Sequence, residues 1–336
     1  MLFSCMSSFY KGETNGSTNI EAYFFVTNGV FCEHSPSYCV MNSDDYITGF
    51  FMDILISGLN NYVGRRCASL MADEDFRLFA ITRNRKLFEE RMSEPIHAQI
   101  FEIDLLKEDI VDGKGLPYID ASFYFAQVPA LDDMVNVRVE LLCLRNFIRL
   151  MKYLKCNRLI YVARLMDRRS LQPIIELLKE LQIDYTVVLK NIVVGKDCLL
   201  YNIYRQMSVR KVVFYSKQYG GGLLQPIGIH DFVRWLKAIL QVPNFHYNVL
   251  EVGGGDTISA VDLYRLYLNL KTKLNVQRMI SLPNWLFGLL YQRDIKENTG
   301  TTEFLQPVQV NKIIDNSWGA YLPFTFMPLK DILMAE

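Results

Sequence analysis

The sequence predicts an α/β fold, a doubly wound parallel sheet with a smaller C-terminal α+β lobe, and three observations predict it. Short apolar runs suited to buried strands alternate with helix-compatible segments from Asp53 onward. No two runs have hairpin spacing, so each link is expected to be a right-handed crossover that places helices on both faces of the sheet. The first run leads at once into a glycine-flanked loop, Gly58-Leu59-Asn60-Asn61-Tyr62-Val63-Gly64, the kind of strand-to-helix turn that opens a Rossmann-like unit.

Ile54-Leu55-Ile56-Ser57 is a continuous apolar run, as a strand buried on both faces requires, and a helix fits Arg65–Ala72 after the loop. Arg77–Thr82 reads as the second strand, Arg83–Ser93 as a polar connection, Ala98–Ile103 as the third strand and Ser122–Val128 as the fourth. A long amphipathic helix fits Met134–Tyr153, with Val135, Val139, Leu142 and Asn146 spaced along its faces. Arg158–Ala163 follows as the fifth strand, Leu171–Leu181 as a helix, and Tyr185–Val194 as the sixth strand, ended by Gly195.

Beyond Gly195 the pattern is less regular but still apolar. Helices fit Leu199–Ser208, His230–Gln241, Ser259–Leu274 and Asn284–Arg293, and short strands fit Val212–Tyr215 and Tyr247–Val252. That is too little strand for a second doubly wound domain. The expected division is an extension over 1–50 rich in Ser, Asn, Gly and Thr, a Rossmann-like domain over 51–196, and a substrate-side or interaction lobe over 197–336.

Composition narrows the function classes. Lys+Arg 36 against Asp+Glu 36 gives a formal charge of +0, so no long-range field gathers nucleic acid. Aromatics at 13 % argue against disorder throughout. The seven cysteines (Cys5, Cys32, Cys39, Cys67, Cys143, Cys156, Cys198) contain no C-x-x-C pair, which favours a reducing compartment, cytoplasmic or other, and gives no zinc spacing. The four histidines (His34, His97, His230, His246) are scattered, so no metal site is expected. No apolar run approaches a membrane span, and Met1–Lys11 lacks the features of a secretory signal; the triplet Asn15-Gly16-Ser17 is a glycosylation sequon by pattern only.

The chemistry is expected around the first loop. A glycine directly after a buried strand permits a tight turn, and one at the helix start lets the backbone approach a pyrophosphate met by free helix N–H groups. Gly58 and Gly64 hold the outer positions of that loop, and Asn61 holds the middle one, where it suits a left-handed backbone better than most residues. At the end of the second strand an acidic residue would hold ribose hydroxyls, whereas an arginine pairs with a 2′-phosphate; the chain has Arg83, then Arg85 and Lys86. A purely structural turn and a solvated basic loop are the competing readings.

Ile54–Gly64, Ala80–Arg83, Ile103-Asp104-Leu105, Leu159–Val162, Ile192–Gly195, Gln225–Asp231 and Asn248–Gly253 occur in the order seen in atypical short-chain dehydrogenase/reductases. The chain resembles their NAD(P)-binding, NmrA-like and nucleotide-sugar-epimerase-like branch, which includes the NADPH-binding accessory subunit of respiratory complex I. The resemblance implies that Gly58, Asn61, Tyr62, Val63 and Gly64 line a pyrophosphate, and that Arg83 meets an adenosine 2′-phosphate. It further implies Asp104 and Leu105 beside the adenine, and Ala126, Gln127 and Val128 beside the ribose and nicotinamide. NADP(H) is the favoured cofactor, NAD(H) the other.

The same resemblance locates a gap. Catalytic members carry Ser or Thr at the end of the fifth strand and Tyr-x-x-x-Lys on the next helix, where the lysine lowers the tyrosine pKa. Here the strand ends Val162-Ala163-Arg164, and Arg168 and Gln172 stand at the tyrosine and lysine positions. A non-catalytic dinucleotide-binding, sensor or scaffold protein is therefore expected. The alternatives are an NADPH-dependent reductase or epimerase-like enzyme using other groups, and a scaffold that has lost the cofactor. His230-Asp231 reads as a helix cap and lobe-docking site, and Gly220–Gly222 and Gly253–Gly255 as flexible connections. The apolar segment Met279–Tyr291 reads as packing, or as contact with a protein partner or membrane surface.

Overall fold

The computed structural model describes residues 52–72, 75–90, 92, 96–107, 115–216, 220–271, 278–283, 286 and 313–335. These belong to one compact unit, Gly49–Glu336. The expected extension over 1–50, with its sequon, lies outside the described residues.

A seven-stranded sheet forms the centre. Its strands are β1 (Met52–Ser57), β2 (Phe76–Thr82), β3 (Gln99–Glu102), β4 (Ala121–Phe125), β5 (Arg158–Arg164), β6 (Asp184–Lys190) and β7 (Asn248–Val252). They pair in the order β7-β6-β5-β4-β1-β2-β3, and every pairing is parallel. β1 is central, with Ile54 opposite Leu78 on one side and Ala121 on the other. Strand order reverses between β1 and β4, which opens a crevice at their carboxyl ends, the place where open α/β sheets bind ligands.

Side chains alternate between the two faces of this sheet, so each strand feeds two cores. Ile54, Ile56, Phe123, Phe125 and Val162 pack with Val63 and Cys67 of α1 (Tyr62–Leu70), Phe88 of α2 (Arg85–Glu90), and with Phe232 and Trp235. Leu55, Tyr124 and Tyr161 pack with Leu144 and Phe147 of α3 (Met134–Tyr153) and with Leu177 of α4 (Gln172–Glu180). A third cluster joins Tyr204 of α5 (Leu199–Ser208), Leu263 and Tyr264 of α7 (Ala260–Lys271), and Leu333 of α8 (Leu329–Ala335).

The expected helices Met134–Tyr153 and Leu199–Ser208 form with those bounds. Two expectations need correction. The strand read as Tyr185–Val194 divides: β6 ends at Lys190, and Val193–Val194 pairs instead with Ile227–Gly228. The start of the segment Met279–Tyr291 belongs to a strand, Arg278–Leu282, parallel to Val212–Ser216, while the expected helix Asn284–Arg293 lies, apart from Leu286, outside the described residues. Gly253 and Gly254 are not slack. A Cβ on Gly254 would overlap the Pro226 carbonyl oxygen, and one on Gly253 would sit 2.9 Å from Gln225 Cβ.

Asp231 does dock the C-terminal segment. Buried in the first turn of α6 (Ile229–Leu240), it accepts the Met327 backbone N–H at 2.5 Å, although Gly228 is the residue at the cap position. Gln225 clamps Ile314 in the same way, receiving its N–H at 2.6 Å and donating to its carbonyl at 3.2 Å. No helix among the described residues is long and apolar enough to cross a membrane.

Candidate functional site

The loop after β1 is built around one close approach. Gly58 has φ +90°, and a Cβ there would overlap the Phe125 carbonyl oxygen and lie 2.7 Å from Phe125 Cβ. A Cβ on Gly64 would lie 2.5 Å from the Gly58 carbonyl oxygen. Both glycines therefore let α1 and its turn settle on the end of β4, and neither position tolerates a side chain.

Asn61 behaves differently from the sequence-based expectation. Its φ of −79° and ψ of 138° are extended, not left-handed, and it is the N-cap of α1. Its Oδ1 accepts the Val63 N–H at 2.9 Å, so its side chain spends a helix N–H of the type that would otherwise face a phosphate. Tyr62 anchors the same end of the helix, donating its hydroxyl to the Lys196 carbonyl at 3.0 Å.

A cleft of about 200 Å³ opens at the carboxyl ends of β1 to β4. Arg83, Asp104, Leu105, Gln127 and Val128 line it, together with Ser57, Asn60, Thr82 and, from α3, Val139 and Cys143. The structure thus gathers five of the expected residues in one place. Gly58, Asn61, Tyr62, Val63 and Gly64 shape the adjoining turn without lining the cleft, and Ala126 is buried, 8 % exposed. Sites that enclose a whole small-molecule ligand run to roughly 300–1,000 Å³, so this cleft matches a nucleoside-sized group better than an entire dinucleotide.

The exposed Arg83 stands at the end of β2. Arg83 and Cys143 line the same cleft, and the Arg83 charge acts against the burial that pushes the Cys143 thiol up to about 12. The wall opposite is fixed by a residue that sequence reasoning passed over. Glu140, on the sheet-facing side of α3, is fully buried, and its Oε2 accepts the N–H groups of Gln127 at 2.9 Å and Val128 at 3.1 Å. Its Oε1 accepts the Tyr161 hydroxyl at 3.1 Å. The available signal was a lone carboxylate in the stripe Val137, Glu140, Leu144, Phe147, since a buried charge in such a stripe must have partners.

Farther along the sheet edge, Arg164 and Asp167 form an ion pair at 2.7 Å, and Asp167 also receives the Leu131 N–H at 3.1 Å. Lys190 lies opposite Arg164 in the β5/β6 register. Burial first, then the Arg164 charge, pulls its amine down to about 8. Arg168 is paired with Glu251 of β7, and Gln172 donates to Glu176 at 2.9 Å. Cys67, Cys143, Cys156 and Cys198 are buried thiols outside any disulfide, and no cluster of potential metal ligands exists among the described residues.

No family profile and no curated protein matches the sequence. Solved structures do match the fold. The UDP-glucuronic acid 4-epimerase of Bacillus cereus, solved in complex with UDP-glucuronic acid and NAD, shares 15 % identity over 85 % of this chain and 98 % of its own, with a TM-score of 0.61. WbmH of Bordetella bronchiseptica, solved with NAD+, shares 15 % identity over 85 % of this chain and 96 % of its own, TM-score 0.59. The terminal R domain of the myxalamid PKS-NRPS pathway shares 13 % identity over 86 % and 90 %, TM-score 0.60. The likeness is one of fold: the chain shares the Rossmann-like, doubly wound α/β architecture of these epimerase and reductase structures.

Proposed function

We propose that this chain binds a nicotinamide dinucleotide, NADP(H) in preference to NAD(H), and serves as a binding, sensor or scaffold protein rather than a catalyst. The observation that carries the reading is Arg83 at the rim of a nucleoside-sized cleft over the switch point of the sheet. A guanidinium there complements a 2′-phosphate, where a carboxylate would instead hold ribose hydroxyls. Fold neighbours solved with NAD support a nicotinamide dinucleotide as the ligand class. In this reading residues 51–196 hold the dinucleotide, and residues 197–336 form the substrate-side or interaction lobe.

The residues present fit the group unevenly. The adenosine end has a cleft, a cation and a polar rim, while the turn that would meet the pyrophosphate has its Val63 N–H capped by Asn61. Bound NADP(H) would bring a hydride-transferring nicotinamide, yet few groups here suit proton transfer. Arg168 is engaged by Glu251, and Gln172 carries no charge. The Tyr161 hydroxyl is engaged by Glu140, and burial, with the Glu140 charge second, holds it well above the phenolic range.

Titration with NADPH and NADH, followed by cofactor fluorescence and by melting temperature, tests the reading, because a ligand specific to the folded state raises stability by mass action. Saturable binding with NADPH the tighter supports it; no binding and no thermal shift at millimolar ligand overturns it. A second reading, an NADPH-dependent reductase or epimerase-like enzyme, is favoured by Lys190 at the end of β6, whose amine burial lowers to about 8. NADPH turnover with quinones, aldehydes or nucleotide sugars, lost in Lys190→Met, would establish that reading instead.

A further inference from the structure

One side chain holds the cleft wall that Gln127 and Val128 form. Glu140 accepts both of their backbone N–H groups, and the Gln127 carboxamide crosses to the Ser57 hydroxyl at 2.9 Å, which ties the end of β4 to the end of β1. Val139 and Cys143, on either side of Glu140 in α3, line the same cleft. The carboxyl group therefore sits immediately behind the wall, with no exposed surface of its own. A neutral acceptor could satisfy two amides there. A carboxylate adds a charge that can be switched, in a low-dielectric setting where it acts strongly on any ligand in front of it.

We infer that Glu140 is a positioning residue that couples anion binding to a proton: it sets the Gln127–Val128 wall, and the cleft binds a dinucleotide phosphate more tightly when Glu140 is protonated. This inference rests on the dinucleotide reading. The groups facing Glu140 leave it as the one that changes charge near neutrality. From the sheet come the hydroxyls of Tyr124 and Tyr161, both held well above the phenolic range by burial and then by the Glu140 charge. From its own helix comes the Cys143 thiol, pushed up to about 12 by burial. Asp104 and Arg83 across the cleft, and Asp167 toward Tyr161, complete the set of charges. Burial raises Glu140 itself to about 7, against the pull of its hydrogen bonds from Val128, Gln127 and Tyr161. A bound anion repels the ionised form, so binding draws a proton onto Glu140.

The test compares NADPH affinity of the wild-type chain with Glu140→Gln and Glu140→Ala from pH 6 to pH 8. The ligand's own 2′-phosphate titrates near 6, so the difference between proteins is the readout. Wild-type affinity should fall relative to Glu140→Gln by about five-fold across that range, half of the ten-fold limit set by a like-charge shift of one pKa unit. Glu140→Gln keeps an acceptor for the two amides and should hold the wild-type low-pH affinity, whereas Glu140→Ala should bind weakly at every pH. Calorimetry of the wild-type chain with NADH at pH 7, in two buffers of different ionisation enthalpy, reads the proton uptake without any variant. Binding with parallel pH profiles, or with no proton uptake, overturns this inference alone. No binding by any of the proteins at any pH overturns the dinucleotide reading, and this inference with it.

Discussion

Asn61 Oδ1 receives the Val63 N–H at 2.9 Å, so the first turn of α1 is capped from within at the loop where the fold would present it to a phosphate. Replacing Asn61 with glycine removes the carboxamide and frees that donor. Glycine is itself an acceptable N-cap, so the cost in stability is small, roughly 0.2–0.4 kcal/mol. Asn61→Gly should tighten NADPH binding several-fold while the melting temperature barely moves. Asn61→Ala frees the donor too, but costs about 1 kcal/mol. Unchanged NADPH affinity in both would show that no phosphate approaches this turn.

Gly58 sets the geometry of the same loop by a different mechanism. Its φ of +90° is unfavourable for any residue with a Cβ, and the added methyl would overlap the Phe125 carbonyl. Strain and overlap together predict that Gly58→Ala destabilises by about 2–4 kcal/mol. Urea denaturation checks this, with the midpoint falling and the slope unchanged. A loss under about 1 kcal/mol would mean that the end of β4 yields easily.

The fold was legible where the determinants are local. Helix α3 runs from Met134 to Tyr153 as its periodicity predicts, with Asp133 as its cap. Strand β7 was legible as a strand but not as a member of the main sheet, because its partner, β6, is about sixty residues away and nothing in either segment names the other. Arg278–Leu282 was given no element for a related reason: a short apolar run has no period of its own, and its pairing with Val212–Ser216 decides its conformation. At the site, residue types at strand ends were readable, and five of them do line one cleft. Asn61 was misjudged because the helix begins at Tyr62, earlier than the polar stretch suggests, which turns a loop residue into a cap. Glu140 left one sign, a lone carboxylate in an apolar helix stripe, but two of its three partners are backbone amides, which leave no trace in side-chain spacing.

Arg83 makes the cofactor preference testable. Arg83→Ala should weaken NADPH binding about ten-fold to a hundred-fold, the range of a lost charge-assisted contact, and leave NADH affinity nearly unchanged. Arg83→Asp should go further and favour NADH, since a carboxylate repels the 2′-phosphate and can accept from ribose hydroxyls. Equal losses for both cofactors would place Arg83 in general electrostatics rather than at the 2′ position.

Lys190 predicts a stability profile with a definite sign. Burial, followed by the Arg164 charge, lowers its amine from 10.5 to about 8, while Asp167 and Cys67 act the other way. Between about pH 8 and 10.5 the unfolded chain therefore holds more protons at this site than the folded one, and stability contributed by Lys190 increases with pH through that window. Below pH 8 both states are protonated and the penalty of the half-buried charge is constant. Lys190→Met keeps the length of the side chain and removes the charge. It should be more stable than wild type at pH 7, by on the order of 1–3 kcal/mol, and the advantage should shrink as pH rises past 8. The tyrosines and cysteines titrate in the same alkaline range, so the comparison is the difference between the two proteins at each pH, read from urea midpoints. A difference that stays constant from pH 7 to pH 10 would mean that the Lys190 amine reaches solvent and keeps an ordinary pKa.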